Sequence, residues 1–208
     1  MFHKICRRIV FPFFRLFYRV KVKGLENLPK DKSFIIVSNH LGMIDCFAVA
    51  ALFKQKIYFM AKKELFKIPL LAGLIRMLGA FPVDRAGDVG AIKTSVSLLE
   101  SGKCVGMFPQ GTRCKGRAPR ESADRIKGGA GLLIHKTGVT VLPACLKTKK
   151  NKLSLFRRVD LILGEPISYE TLVEGIDPGA MSHQALYTHM SRIVFERICA
   201  LYEEAPNE

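Results

Sequence analysis

The chain contains no tryptophan, and its six cysteines (Cys6, Cys46, Cys104, Cys114, Cys145 and Cys199) form no Cys-x-x-Cys pair. That excludes a zinc ribbon and a thioredoxin-like redox motif. In a chain of 208 residues, such cysteines read as reduced, mostly buried thiols, which implies a cytosolic face. No run approaches the roughly 18 apolar residues a membrane-spanning helix needs. The apolar stretch Ile9–Phe14 is short, contains Pro12 and runs into Arg15, with no small-residue cleavage site. It does not read as a signal peptide. No segment alternates Arg or Lys with aromatics in the manner of a single-strand binder, and no zinc-finger or RNP-like pattern occurs. Nucleic acid is therefore not the expected partner. Acid is also scarce: 18 Asp and Glu stand against 33 Lys and Arg, a net charge of +15. The remaining anionic partners are a membrane surface or phosphorylated small molecules.

Hydrophobic residues make up 49% and charged residues 25%, which excludes a disordered chain and fits one domain with a sizeable core. The first 23 residues stand apart. On a helical wheel at about 100° per residue, Lys4, Arg7, Arg8, Arg15 and Arg19 fall within roughly 120°, opposite Phe2, Ile5, Ile9, Phe13, Leu16 and Phe17. This is the pattern of a helix lying in a bilayer interface. Pro12 would divide it into two short helices. From Gly24 to the end, residues 24–208, strand and helix patterns alternate. Strands are expected at Phe34–Val37, Ile57–Ala61, Ala80–Val83, Cys104–Phe108, Val139–Leu146 and Val159–Leu163. Helices are expected at 44–53, Ile68–Leu78, Asp88–Leu99, Ser122–Thr137 and after Ser182. The expected fold is α/β, a single mixed sheet flanked by helices and preceded by the amphipathic docking segment.

The stretch Ser38-Asn39-His40-Leu41-Gly42-Met43-Ile44-Asp45 carries the most chemistry. A histidine beside a carboxylate can act as a general base, the carboxylate fixing the imidazole tautomer. Five residues of regular helix turn through about 500°, so the two side chains would face apart within one helix. They meet only if His40 precedes the helix and Asp45 starts it. No serine or cysteine occupies a nucleophile's place in this stretch, so the activated hydroxyl would belong to a substrate. Three further stretches place Gly, Arg and turn residues at strand ends, where α/β proteins bind ligands. They are Gly79–Arg85, ending in Asp84-Arg85; Phe108-Pro109-Gln110-Gly111-Thr112-Arg113; and Val139–Pro143, a strand ending in proline that shapes a pocket wall. Backbone N–H groups, the Thr112 hydroxyl and the Arg113 guanidinium together suit a phosphate monoester. Lys62 and Lys63 add two cations after another strand.

In this order the four blocks resemble the glycerolipid acyltransferases, in the 1-acyl-sn-glycerol-3-phosphate acyltransferase branch, from about Val22 to Pro166. Lys127-Gly128-Gly129-Ala130-Gly131 also looks like that family. The resemblance implies that His40 is the general base, oriented by Asp45. It implies that Arg85, Arg113 and Lys62 hold the phosphate of lysophosphatidic acid, and that Asn39, Gln110, Gly111 and Thr112 shape the pocket. It implies no metal or other cofactor, with acyl-CoA or acyl-carrier protein as the co-substrate. It also implies an N-terminal two-helix element on an anionic membrane, hence a peripheral enzyme at the cytoplasmic face. The family's third block usually carries Glu where this chain has Gln110, which loosens the assignment of the acceptor. A same-fold enzyme acting on another lysolipid or an amino-acid lipid is the alternative. A non-enzymatic basic module binding membrane or nucleic acid is the remote one.

Overall fold

The structure is a computed structural model. It describes residues 16–30, 33–42, 55–84 and 89–206, with isolated positions 8, 12, 45, 46, 49 and 53. Seven strands form one mixed sheet, with β1 (Val20–Lys23), β2 (Ile35–Ser38), β3 (Ile57–Lys62), β4 (Ala80–Val83), β5 (Cys104–Met107), β6 (Val141–Lys147) and β7 (Val159–Leu163). Their spatial order is β1-β7-β6-β2-β5-β3-β4. Only the β6–β7 pair is antiparallel. The carboxyl ends of β2, β3, β4, β5 and β6 therefore share one end of the sheet with the starts of β1 and β7.

Central β2 explains the layering. Phe34 to Val37 are all buried, as a parallel strand covered on both faces must be. Alternation sends Ile35 and Val37 to one face and Phe34 and Ile36 to the other. The first face is covered by α3 (Gly129–Thr137) and α5 (His183–Glu204), through Leu133, Ile134, Met190, Val194 and Ile198. The second is covered by Tyr18, Val49 and Phe53. Ser182 caps α5 as expected, its hydroxyl accepting from the Ala185 N–H at 3.3 Å. The other helices are α1 (Pro69–Met77), α2 (Val89–Glu100) and the short α4 (Tyr169–Leu172). Burial pushes the Cys145 thiol up to about 12 and Cys199 to about 11, so both stay protonated packing groups.

Three details differ from the sequence reading. First, Val20–Lys23, placed above in the N-terminal segment, is β1 and pairs in parallel with Val159–Ile162 of β7. Val-Lys-Val-Lys is a period-2 signal too short to outweigh the helical wheel around it. Arg19 lies outside any helix, with φ 43°. Second, 122–137 is not one helix. A 3₁₀ segment (Arg120–Arg125) and α3 are separated at Ile126–Gly128, where Gly128 and Gly129 are weak helix formers. Third, Pro143 sits inside β6 rather than at its end, its carbonyl accepting from the Gly164 N–H at 2.9 Å. Most of the N-terminal amphipathic stretch lies outside the described residues. Arg8, Pro12, Leu16 and Phe17 are helical. Among the described residues no helix is long and apolar enough to cross a membrane.

Candidate active site

The chain leaves β2 at Ser38 and the next residue locks the exit. Asn39 is buried; its amide donates to Leu146 O at 2.9 Å and its carbonyl accepts from the Leu146 N–H at 2.7 Å. Asn39 thus extends the β2–β6 pairing by one side chain and aims the following residue over the strand ends. His40 follows, and its Nδ1 lies 2.7 Å from Asp45 Oδ2. The same oxygen accepts from the Leu41 N–H at 2.5 Å and the Gly42 N–H at 2.8 Å. Asp45 reaches back as the third-position acid of a capping box does. Asp45 and Cys46 are helical whereas His40 to Gly42 are not, so the histidine stands outside the helix that carries the acid, as the five-residue spacing requires. Gly42 has no left-handed φ among the described glycines; its contribution is its N–H.

This geometry fixes a tautomer. The Asp45 carboxylate accepts the Nδ1 proton, which leaves Nε2 with a lone pair. Asp45 is fully buried, whereas the His40 side chain is 19% exposed. The ring lies on Phe108 at 4.2 Å between centroids and 15° between planes. Phe108 in turn lies 5.8 Å from Phe59. Gly106 on β5 makes room for this stack, since a Cβ there would stand 2.0 Å from Phe59 Cε1.

His40 opens on a cavity of about 440 Å³. Lys62, Gly111 and Lys127 also line it, with Met60, Val83, Ile92 and Met107 as its apolar wall. The lining therefore combines a base and two ammonium groups with an apolar wall that suits hydrocarbon. Lys62 makes an exposed ion pair with Glu64 at 3.5 Å, a contact worth little in water and easily exchanged for a ligand.

The other expected site residues fall elsewhere. Thr112 and Arg113 are exposed on the turn that follows Gly111, outside the cavity wall. Asp84 pairs with Lys63. Arg85 lies outside the described residues. Gln110 is buried and turned inward: its carbonyl accepts from the His40 N–H at 2.9 Å and its amide donates to Ser122 Oγ at 2.7 Å. The Ser122 hydroxyl donates to Pro119 O at 2.8 Å. Gln110 therefore shapes the site from beneath, by holding the His40 backbone, and does not face the cavity. Lys127 and Phe108 are the residues that sequence reasoning passed over. Lys127 stood at the head of the noted glycine run, and its charge was the available signal.

The inward position of Gln110 yields a direct expectation. Gln110→Glu would retain the acceptor for the His40 N–H. It would also turn a donor towards Ser122 into a second, charged acceptor in a buried site. A loss of about 1–3 kcal/mol is expected, with no change in acceptor preference. Urea unfolding and an acceptor panel run on both proteins check this; an altered acceptor ranking would refute it.

An acid–imidazole pair thus stands at the strand ends of an α/β sheet, beside a cavity lined by two lysines and an apolar wall. The Acyltransferase family profile matches residues 19–147, and the chain belongs to that family. It is 31% identical over 205 residues to the 1-acyl-sn-glycerol-3-phosphate acyltransferase of Bacillus subtilis, covering 97% of this chain and 92% of that one. It is 34% identical to the Streptococcus pneumoniae protein of the same name, over 72% of this chain and 56% of that one. The crystal structure of the Thermotoga maritima 1-acyl-sn-glycerophosphate acyltransferase superposes with a TM-score of 0.70 at 28% identity, over 97% of this chain and 78% of that one.

Proposed function

We propose that the protein transfers an acyl chain from a thioester, acyl-CoA or acyl-carrier protein, to the sn-2 hydroxyl of lysophosphatidic acid, giving phosphatidic acid. The observation that carries this reading is the single cavity bordered by His40, Lys62 and Lys127. His40 Nε2 takes the proton of the acceptor hydroxyl as its oxygen attacks the thioester carbonyl. Asp45 holds the imidazolium that forms. The tetrahedral intermediate collapses with cleavage of the C–S bond, and the imidazolium returns its proton to the departing sulfur. Lys62 and Lys127 bind the phosphate of the acceptor, joined by Arg113 and Arg85 when the acceptor is seated. Met60, Val83, Ile92 and Met107 shelter its hydrocarbon. No metal or redox group is needed for this sequence of steps. The cationic surface and the basic amphipathic N-terminus support work at an anionic membrane, as a peripheral protein of the cytoplasmic face.

The test is release of free thiol from acyl-CoA and from acyl-carrier-protein thioesters, with product mass read in parallel. Release is expected with lysophosphatidic acid and not with the phosphate-free monoacylglycerol. Lys127→Ala removes a charge-assisted contact to phosphate, so KM for lysophosphatidic acid should rise about tenfold or more, with kcat less affected. Equal rates with and without the acceptor phosphate would overturn the assignment.

A further inference from the structure

The β6–β7 hairpin tip, residues 148–158, takes no part in the chemistry above, yet it stands at the catalytic end of the sheet. It is a built turn. The Lys152 N–H donates to Thr148 Oγ at 2.8 Å, and the Asn151 N–H donates to Thr148 O at 3.1 Å. The Asn151 carbonyl accepts from the Gly116 N–H at 2.7 Å, in the loop whose Cys114 N–H donates to His40 O at 2.7 Å. Leu153 packs towards Gly42, where a Cβ would meet its Cδ1 at 3.5 Å.

Beyond Leu153 the apolar side chains turn outward. Leu155 is 53% exposed and Phe156 63%, and Leu16, next in sequence to Phe17, is 68% exposed. Phe156 holds φ at 59°, a left-handed backbone that suits an aromatic residue poorly. Its N–H donates to Phe17 O at 2.5 Å, and its ring lies 5.7 Å from that of Phe17. A strained backbone that presents an aromatic ring to water is the kind of feature that function maintains.

Charge surrounds this apolar tip. Arg19, Lys149, Lys150, Lys152 and Arg157 are exposed and line or flank one cleft of about 1120 Å³. None has an acidic partner among the described residues. The other two cations of the cleft are committed. Lys147 Nζ donates to the Tyr202 and Ala205 carbonyls at 2.8 and 2.6 Å, and Arg158 holds Asp160 at 2.7 Å. An acidic protein or a free anion would match the lysines and leave Leu16, Leu155 and Phe156 in water. A bilayer of anionic lipid satisfies both, with the apolar tip among acyl chains and the cations at the headgroups.

We propose that the β6–β7 hairpin is a bilayer-contact element that places Leu155 and Phe156 in the headgroup region of an anionic membrane. This rests on the reading that the enzyme meets its acceptor at such a surface, and it names residues that make the contact. The hydrogen bonds through Asn151, Gly116 and Cys114 tie the hairpin to the His40 loop, so the contact turns the catalytic end of the sheet towards lipid.

The absence of tryptophan makes a clean test. In Leu155→Trp, vesicles of phosphatidylglycerol and phosphatidylcholine should shift the emission to the blue, and brominated lipid should quench it. Glu174→Trp, exposed between β7 and α5 at the other end of the sheet, should do neither. Lys149→Ala with Lys150→Ala should lower the vesicle partition about 30-fold, with thiol release on detergent-dispersed substrate unchanged. Cosedimentation with vesicles while the Leu155→Trp emission stays unshifted overturns the proposal. So does a shift with acidic acyl-carrier protein that vesicles do not reproduce. A vesicle-dependent shift in a protein that releases no thiol supports the contact and refutes the enzymatic reading instead.

Discussion

Replacing His40 with alanine should lower acyl-transfer turnover by about 10²–10⁴-fold, the usual contribution of a positioned general base. The cavity and its two lysines remain, so KM for lysophosphatidic acid should move far less than kcat. The side chain is 19% exposed and its ring contacts Phe108 from one side, so the fold should tolerate the loss. Asp45→Asn behaves differently because Asp45 is fully buried. If the asparagine carbonyl takes the place of Oδ2, it can still accept from the Leu41 and Gly42 N–H groups. Its amide then falls where Oδ1 now stands, a buried position with no hydrogen-bond partner among the described residues. That donor is stranded, at about 1–3 kcal/mol, and the charge that steadies the imidazolium is gone. Asp45→Asn should therefore lose both stability and turnover, whereas His40→Ala should lose turnover alone. Because the two residues act as a unit, the double variant should be scarcely slower than His40→Ala. Single-turnover kinetics beside urea unfolding separate these outcomes. A His40→Ala protein with full turnover would remove His40 from the mechanism.

How far the sequence foretold this site follows from the range of each interaction. His40 and Asp45 were legible because their contact is local. The helical angle across five residues excludes a shared helix and so places His40 before its first turn. Strand Ile57–Lys62 was legible to within a residue from the apolar run Ile57–Ala61, and β7 from Val159–Leu163, apolar but for Asp160. What was not legible depends on partners far away in sequence. Asn39 looked like a pocket residue, and only its bonds to Leu146, 107 residues on, show it as part of the sheet. Gln110 looked like a pocket residue that departs from a motif, and only Ser122 and the His40 N–H show which way it faces. The support behind the imidazole, Gly106 to Phe59 to Phe108, is assembled from two neighbouring strands. No single window of sequence contains it. β1 was missed for another reason: four residues of alternation are too few to outvote a twenty-residue amphipathic pattern.

The glycine run behind Lys127 gives the second large effect. A Cβ on Gly131 would stand 2.1 Å from Tyr187 O and 2.8 Å from Tyr187 Cα. These are backbone atoms of α5, so no rotamer change relieves the clash, and α3 must move away. The Gly131 N–H also donates to the buried Ser191 hydroxyl at 2.8 Å, a bond that the same movement breaks. Alanine gains about 1 kcal/mol in helix propensity over glycine. Overpacking a close helix contact costs about 1–3 kcal/mol or more, and the lost buried hydrogen bond adds to that. The clash wins, and Gly131→Ala should unfold at a Tm lower by about 4–10 °C in a chain of this size. Gly73 in α1 is the control: nothing lies within 4 Å of a Cβ there, so Gly73→Ala should raise Tm slightly. The effect should reach the chemistry as well, because Gly129 and Ala130, in the first turn of α3, wall the cavity beside Lys127. KM for lysophosphatidic acid should therefore rise in Gly131→Ala at temperatures where the protein is still folded. A Gly131→Ala protein that melts with the wild type would show that the α3–α5 contact yields where its backbone spacing says it cannot.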